Sequence, residues 1–230
     1  MPLSDGVIVP RRVGVRESAK KRTRQEILDA AAVAFTEQGY NSTSLRDVAA
    51  RAGLSHTGLL HHFPDKPSLL EAVLDDRLES PSRTLPLDST DGETFLLALI
   101  DLAELDVVEP ASIALFTVLS AEALSPTHPA HEYFRRWHAR VRELTEAAFV
   151  DLEARGRFHG RVTPRMAALH VSSMRDGLNL DWLLEPDEID LVQTIRAQFE
   201  VYVDLSPSVQ GKRGDGGAVE SAVRHHPSDR

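Results

Sequence analysis

The sequence predicts an all-helical chain of about nine helices, a small N-terminal module followed by a larger helical body, and three observations carry that prediction. Apolar residues recur at i, i+3, i+4 and i+7 through most of residues 18–205, the period of helices with one buried face. No segment shows the alternation of a strand. Prolines and glycines fall at the ends of the periodic stretches, where Pro suits a first helical turn and Gly a last one. With 230 residues, 42% of them hydrophobic, the chain can fill one small core and one larger one.

Residues 1–17 lack periodicity and are expected to form a disordered basic arm. Between Arg11 and Arg24 seven residues are basic and only Glu17 is acidic. A first helix over residues 18–39 buries Ile27, Leu28, Ala31 and Phe35. A second is read from Leu45, Val48, Ala49 and Ala52. Ser44 and Asp47, three apart, can each satisfy the other's backbone N–H in a capping box, and Gly53 can end the helix in the left-handed conformation. Ser55 caps a third helix with Leu59 and Phe63 inward and His56, Thr57, Gly58, Leu60 and His61 outward. Two short helices around a glycine turn, with the small Ala49 at their approach, form a helix-turn-helix whose second helix is sized for a major groove. Residues 18–66 are therefore expected to be a DNA-binding module.

Lys66, Pro67 and Ser68 open a fourth helix, whose stripe of Leu69, Leu70, Val73, Leu74 and Leu78 links the module to the body. A Pro/Ser/Asp-rich loop over residues 80–92 follows. The fifth helix spans residues 93–109. The sixth, residues 110–124, is apolar nearly all round and so should be buried. A seventh over residues 130–154 carries Phe134, Trp137, Val141, Leu144, Ala148 and Leu152 on one face. The eighth (residues 164–184) and ninth (residues 186–205) are each entered through a proline. Residues 67–205 are expected to form a regulatory and dimerisation domain. Residues 206–230 are polar and Gly-rich, too poor in apolar surface to offset their ordering entropy, and are expected to be disordered.

The chain's net charge of −9 is unevenly spread. Residues 1–66 hold 10 Lys and Arg against 7 Asp and Glu, while residues 67–230 hold 16 against 28. A locally basic module on an acidic body is the asymmetry of a DNA-binding domain on a soluble scaffold. The absence of cysteine rules out disulfides, thiolate metal ligands and cysteine nucleophiles. No apolar run reaches the ~18 residues of a membrane span, and the N-terminus lacks the pattern of a secretory signal, so a cytoplasmic location is expected.

Around the helix-turn-helix, Arg24, Ile27, Leu28, Ala31, Ala32, Phe35, Gly39, Tyr40 and Thr43 precede it, and Phe63, Lys66 and Leu69 follow. In order and spacing these residues resemble the N-terminal DNA-binding domain of the tetracycline-repressor (TetR) family, over residues 22–73. The family usually carries Tyr where this chain has Leu60, so the phosphate contact of that phenol has no counterpart here. Base reading is expected from Ser55, His56, Thr57 and His61, apolar contact from Leu60, and close backbone approach at Gly58. Phosphate contacts are expected from Thr43, Ser44, Arg46 and Lys66, and from Lys20, Lys21, Arg22 and Arg24.

One such module reads too few base pairs to specify a site, so a homodimer on a palindromic operator is expected. The eighth helix offers Met166, His170, Ser173 and Gly177, the last two small and four apart, and the ninth offers Val192, Ile195 and Phe199. The resemblance implies the same surface, since family members dimerise through their last two helices. It also implies that the body holds a small-molecule effector whose binding moves the recognition helices and releases DNA. The candidates for that site are Phe95, Leu99, Phe116, Trp137, His138, Met174, Arg175, Leu178 and Trp182, with Asp176 and Asp181 as further polar groups able to orient a ligand, while a protein partner or a metal held by histidines stands as an alternative signal. No H-E-x-x-H, Gly-rich phosphate loop or G-x-S-x-G elbow is present. No enzymatic activity, cofactor or resident metal is expected.

Overall fold

A computed structural model of the chain describes residues 13–78 and 91–205. The expected arm with Arg11 and Arg12, most of the Pro/Ser-rich loop and the C-terminal tail lie outside the described residues, as does the side chain of Arg16. Among the described residues there are nine helices: α1 (Val13–Ser42), α2 (Leu45–Arg51), α3 (His56–Leu60), α4 (Lys66–Leu78), α5 (Gly92–Val108), α6 (Pro110–Glu122), α7 (His131–Ala154), α8 (Pro164–Leu184) and α9 (Leu191–Glu200).

Several boundaries differ from expectation. Helix α1 begins at Val13, so the end of the predicted arm is helical. Helix α9 begins at Leu191 instead of residue 186, because the Asp190 side chain accepts from Gln193 N–H at 2.9 Å and so sets the cap. It also ends early, at Glu200. The chain then turns, and Val203 forms an isolated antiparallel bridge with Phe158. Within α1, Gly39 has φ 76° and ψ 165°, a kink that closes the helix axis there.

Two apolar cores result. The first joins Ile27, Leu28 and Phe35 of α1 with Val48, Leu59 and Phe63, with Leu69–Leu74 on α4, and with Leu115, Leu119, Ala123, Ala130 and Phe134 from α6 and the start of α7. The expected division at residue 66 therefore does not coincide with a gap in packing. The second core holds Phe95, Leu96 and Ile100 of α5, Phe149 and Leu152 of α7, Ala167 and Val171 of α8, and Ile195 and Phe199 of α9. Close approach of α5 to α7 depends on Gly92, where an added Cβ would stand 2.3 Å from the Ala148 carbonyl oxygen. Helix α6 takes part in both cores, with Leu115 and Leu119 in the first and Ile113 in the second, as its nearly uncharged sequence requires.

Candidate nucleic-acid interface and the cavity behind it

The turn between α2 and α3 is built by backbone groups. Leu54 N–H donates to the Ala49 carbonyl at 2.8 Å and Gly53 N–H to that of Ala50 at 3.1 Å, the paired bonds of a Schellman ending. Gly53 stands at φ 69°, where a Cβ would be strained. Ser44 and Asp47 form the capping box, and the Ser55 hydroxyl accepts from Gly58 N–H at 3.0 Å. With Val48, Ala49, Leu59 and Phe63 buried, the recognition segment turns Ser55, Thr57, Leu60 and His61 to solvent and leaves His56 half-buried. A Cβ at Gly58 would lie 3.2 Å from Ser55 Oγ, so the smallness of this residue also serves the local cap.

Three of the expected phosphate contacts are spent internally. Thr43 is 2% exposed, and its hydroxyl donates toward the carbonyls of Gly39 at 2.7 Å and Ala34 at 3.2 Å, closing the kinked end of α1. Ser44 donates its hydroxyl to Asp47 Oδ2 at 2.6 Å and its N–H to the same oxygen at 3.1 Å, bonds that hold the Asp47 carboxyl below the usual carboxylate range. An anion thus already occupies the start of α2. The Lys66 ammonium lies 4.2 Å from the Tyr40 ring centroid and donates to the Asn41 carbonyl at 3.3 Å; burial lowers its pKa, against the opposing charge of Glu122. Arg24 lies over the Phe63 ring, 5.1 Å from its centroid, and Arg22 is 3.5 Å from Glu26. Lys20, Lys21 and Arg46 are exposed, as are Arg22 and Arg24.

Behind the module, the carboxylate of Glu122 at the end of α6 accepts from Tyr40 N–H at 2.5 Å, Asn41 N–H at 3.3 Å and Asn41 Nδ2 at 3.2 Å. These are the N–H groups that the kink at Gly39 releases. A Cβ at Gly39 would stand 2.7 Å from Glu122 Oε1, so glycine there serves both the backbone angle and the carboxylate. Beside them His128 packs edge-on to Tyr40 at 4.9 Å. Its Nδ1 accepts from Ala130 N–H at 3.2 Å, and its buried Nε2 has no hydrogen-bond partner among the described residues. Nothing in the spacing of Glu122 or His128 pointed to the module, because both contacts span some eighty residues.

The other end of α6 borders a cavity of about 100 Å³ among α5–α9. Of the expected lining, Leu99, Phe116, Trp137, His138, Met174 and Arg175 are present. Phe116 is the centre of its aromatic wall, edge-on to Trp137 at 6.3 Å and to His138 at 5.8 Å. Phe95, Leu178 and Trp182 do not line it. Phe95 and Trp182 are 3% and 6% exposed within the second core, against which Leu178 also packs. Trp182 shares the stripe of Arg175 but lies seven residues on, about 10 Å along the axis, beyond the end of the cavity.

Of the further polar groups expected, Asp176 lines the cavity and Asp181 does not, and two polar residues outside the expected set, Asp106 and Asn179, join it. Asp106, 2% exposed, accepts from Arg175 Nη2 at 2.7 Å, and Arg175 Nη1 reaches the Leu99 carbonyl at 3.3 Å. His138 Nδ1 stands 3.6 Å from Asp176 Oδ2; burial raises the Asp176 pKa, against the lowering effect of His138 and Arg175. Asn179 is 5% exposed with an unpartnered Oδ1. A sequence signal existed for two of these. Asp106 falls at i+7 from Leu99 on an otherwise apolar stripe, and Asn179 at i+4 from Arg175.

The expected dimer surface divides. On α8, Met166, His170, Ser173 and Gly177 are exposed, in line with Leu169, Leu180 and Leu184. On α9, Ile195 and Phe199 are 2% and 1% exposed inside the chain's own core, and Val192 packs against it. Ile195 and Phe199 are core residues of the monomer, since the short α9 lies with its apolar face on α5 and α8, while Val192 remains half-buried at the edge of that core. No group of residues able to hold a metal occurs among the described residues, and no helix among them is long and apolar enough to cross a membrane.

Comparison with known proteins is consistent across methods. Residues 27–73 match the family described as bacterial regulatory proteins, tetR family. The HTH-type transcriptional regulator BetI of Cronobacter sakazakii is 30% identical over 76% of this chain and 88% of its own length. The HTH-type transcriptional regulator TtgR of Pseudomonas putida is 27% identical over 85% of this chain and 97% of its own. Among solved structures, NalD, the secondary repressor of the MexAB-OprM multidrug efflux pump in Pseudomonas aeruginosa, superposes with a TM-score of 0.61 at 26% identity, covering 80% of this chain and 97% of NalD.

Proposed function

The chain belongs to the TetR family of DNA-binding transcriptional regulators, and from that premise we propose that it is a homodimeric repressor that leaves a palindromic operator when a small molecule enters the cavity of the body. One observation carries the reading. Helix α6 lines the cavity with Ser112, Ile113 and Phe116 and, one to two turns later, packs Leu119 and Ala123 into the core of the DNA-binding module, where Glu122 holds the end of α1. A displacement of α6 by a ligand is therefore a displacement of α1, which carries α2 and α3. A ligand shifts the equilibrium only by its difference in affinity between the DNA-competent and DNA-incompetent arrangements. At about 100 Å³, the cavity is smaller than the roughly 300 Å³ or more of drug-sized sites, so a ligand of that size would have to widen it and would move α6 in doing so.

On the DNA side, His61, Thr57 and Ser55 read base edges while Arg46, Lys20 and Lys21 meet phosphates. The test is selection of bound fragments from genomic DNA, followed by titration of the best fragment at several salt concentrations. Tight binding to a palindrome, falling steeply with salt as phosphate contacts require, is expected. His61→Ala is expected to weaken operator binding by about 1–3 kcal/mol and random DNA hardly at all. Equal losses on both would remove His61 from base reading.

A further inference from the structure

The chemistry inside the cavity narrows the class of molecule it takes. Its most deeply buried charges are matched within the protein: Asp106 and Arg175 are bonded at 2.7 Å, with side-chain exposures of 3% and 18%. An anionic ligand would have to compete with Asp106 for the guanidinium and leave a buried carboxylate behind, and a cationic one would meet Arg175 across an already neutralised pair. A neutral ligand meets neither cost. Two hydroxyls of the wall are turned back on their own helices as donors, Thr145 to the Val141 carbonyl at 2.8 Å and Ser172 to that of Ala168 at 2.9 Å. What they leave over is acceptor capacity. Asn179 adds a further acceptor, since its Oδ1 is buried without a partner among the described residues, a state that native proteins rarely leave uncompensated. Opposite chemistry comes from the aromatic group of Phe116, Trp137 and His138, which favours a flat ring.

We propose that the cavity binds a small neutral aromatic molecule bearing a hydroxyl donor, a phenol, whose O–H is received by Asn179 Oδ1 while the ring packs against Phe116 and Trp137. This assignment rests on the reading of the cavity as the effector site. At about 100 Å³ the cavity is somewhat smaller than the roughly 150 Å³ that accepts benzene, so a single ring is the largest group it takes without much widening.

The experiment is calorimetric titration of the full chain with three matched probes, 4-methylphenol, 4-methylanisole and 4-methylbenzoate, on the native protein and on Asn179→Leu. The phenol is expected to bind at least tenfold more tightly than the ether, which has the same ring but no donor, and than the carboxylate. Asn179→Leu is expected to bring the phenol down to the level of the ether. The variant is also expected to melt no lower than the native protein, because it replaces an unsatisfied buried amide by an apolar group of similar size. Equal affinity for phenol and ether, tighter binding of the carboxylate, no binding of the phenol, or unchanged phenol affinity in Asn179→Leu would each overturn the assignment. Release of the selected DNA fragment is measured alongside. Asn179-dependent phenol binding that leaves DNA bound would uphold the ligand class and refute the effector reading instead.

Discussion

Trp182 illustrates how a residue's type can suggest one role and its position impose another. An indole near the middle of a regulatory body invites a place in the ligand wall, yet Trp182 is 6% exposed among the apolar residues of the second core. Trp182→Ala is accordingly expected to cost about 3–5 kcal/mol of stability, the range for truncating a large buried aromatic, read from denaturant unfolding. Effector response per folded molecule should remain; an altered response with stability intact would return the indole to the cavity. Lys66 and Thr43 make the same point for polar residues. Both have a chemistry that suits phosphate, and both spend it holding the end of α1, on Tyr40, Asn41 and Gly39.

At the scale of elements, the connection between α6 and α7 is where the module meets the body, and it contains a titratable group. Burial lowers the pKa of His128, partly offset by the raising effect of Glu122 and reinforced by the cation of Lys66; the Tyr40 phenol beside it is itself pushed up by burial. A histidine held below its ordinary value of 6.5 binds fewer protons folded than unfolded. Its contribution to stability is therefore present above pH ~6.5 and is lost as the pH falls from there toward the depressed folded value. Protonation would also place a hydrogen on Nδ1, which now accepts from Ala130 N–H. Between pH 7.5 and 5.5 the native protein is expected to lose more stability than His128→Gln, by about 1.4 kcal/mol for each unit by which the folded pKa is lowered; parallel melting curves across that range would show that His128 does not titrate on unfolding. The elements whose ends are set locally were legible in the sequence. The Ser44–Asp47 box, the Gly53 turn and the Ser55 cap are all found as the spacing requires. Helix α9 starts later than its sequence suggests, because Pro186 suits a first turn but Asp190 is the residue that caps. The cavity was half legible: periodicity put α5 to α8 face to face but could not say at which turn the packing opens, so Phe95 and Trp182 were included and Asp106 and Asn179 left out. Glu122 was invisible because its partners are distant in sequence.

For the whole molecule the remaining question is what covers α8. Met166, Leu169, Leu180 and Leu184 expose between 44% and 71% of their surface, along a face that also carries Ser173 and Gly177, more contiguous apolar surface than a lone monomer has reason to show. Gly177 separates the two explanations. A Cβ at this position meets nothing within 4 Å inside the chain, so the monomer gains no packing from glycine and loses about 0.5–1 kcal/mol of helix stability to it. Such a cost is explained if a second α8 crosses here closely enough to need the missing side chain. Gly177→Leu is then expected to leave the monomer folded, with the helix content of the native protein, while shifting sedimentation from dimer toward monomer and weakening operator binding at least tenfold, since each module alone spans only a half-site. A variant that sediments as the native protein does would place the crossing elsewhere on α8, and would detach the spacing of the two recognition helices from this face.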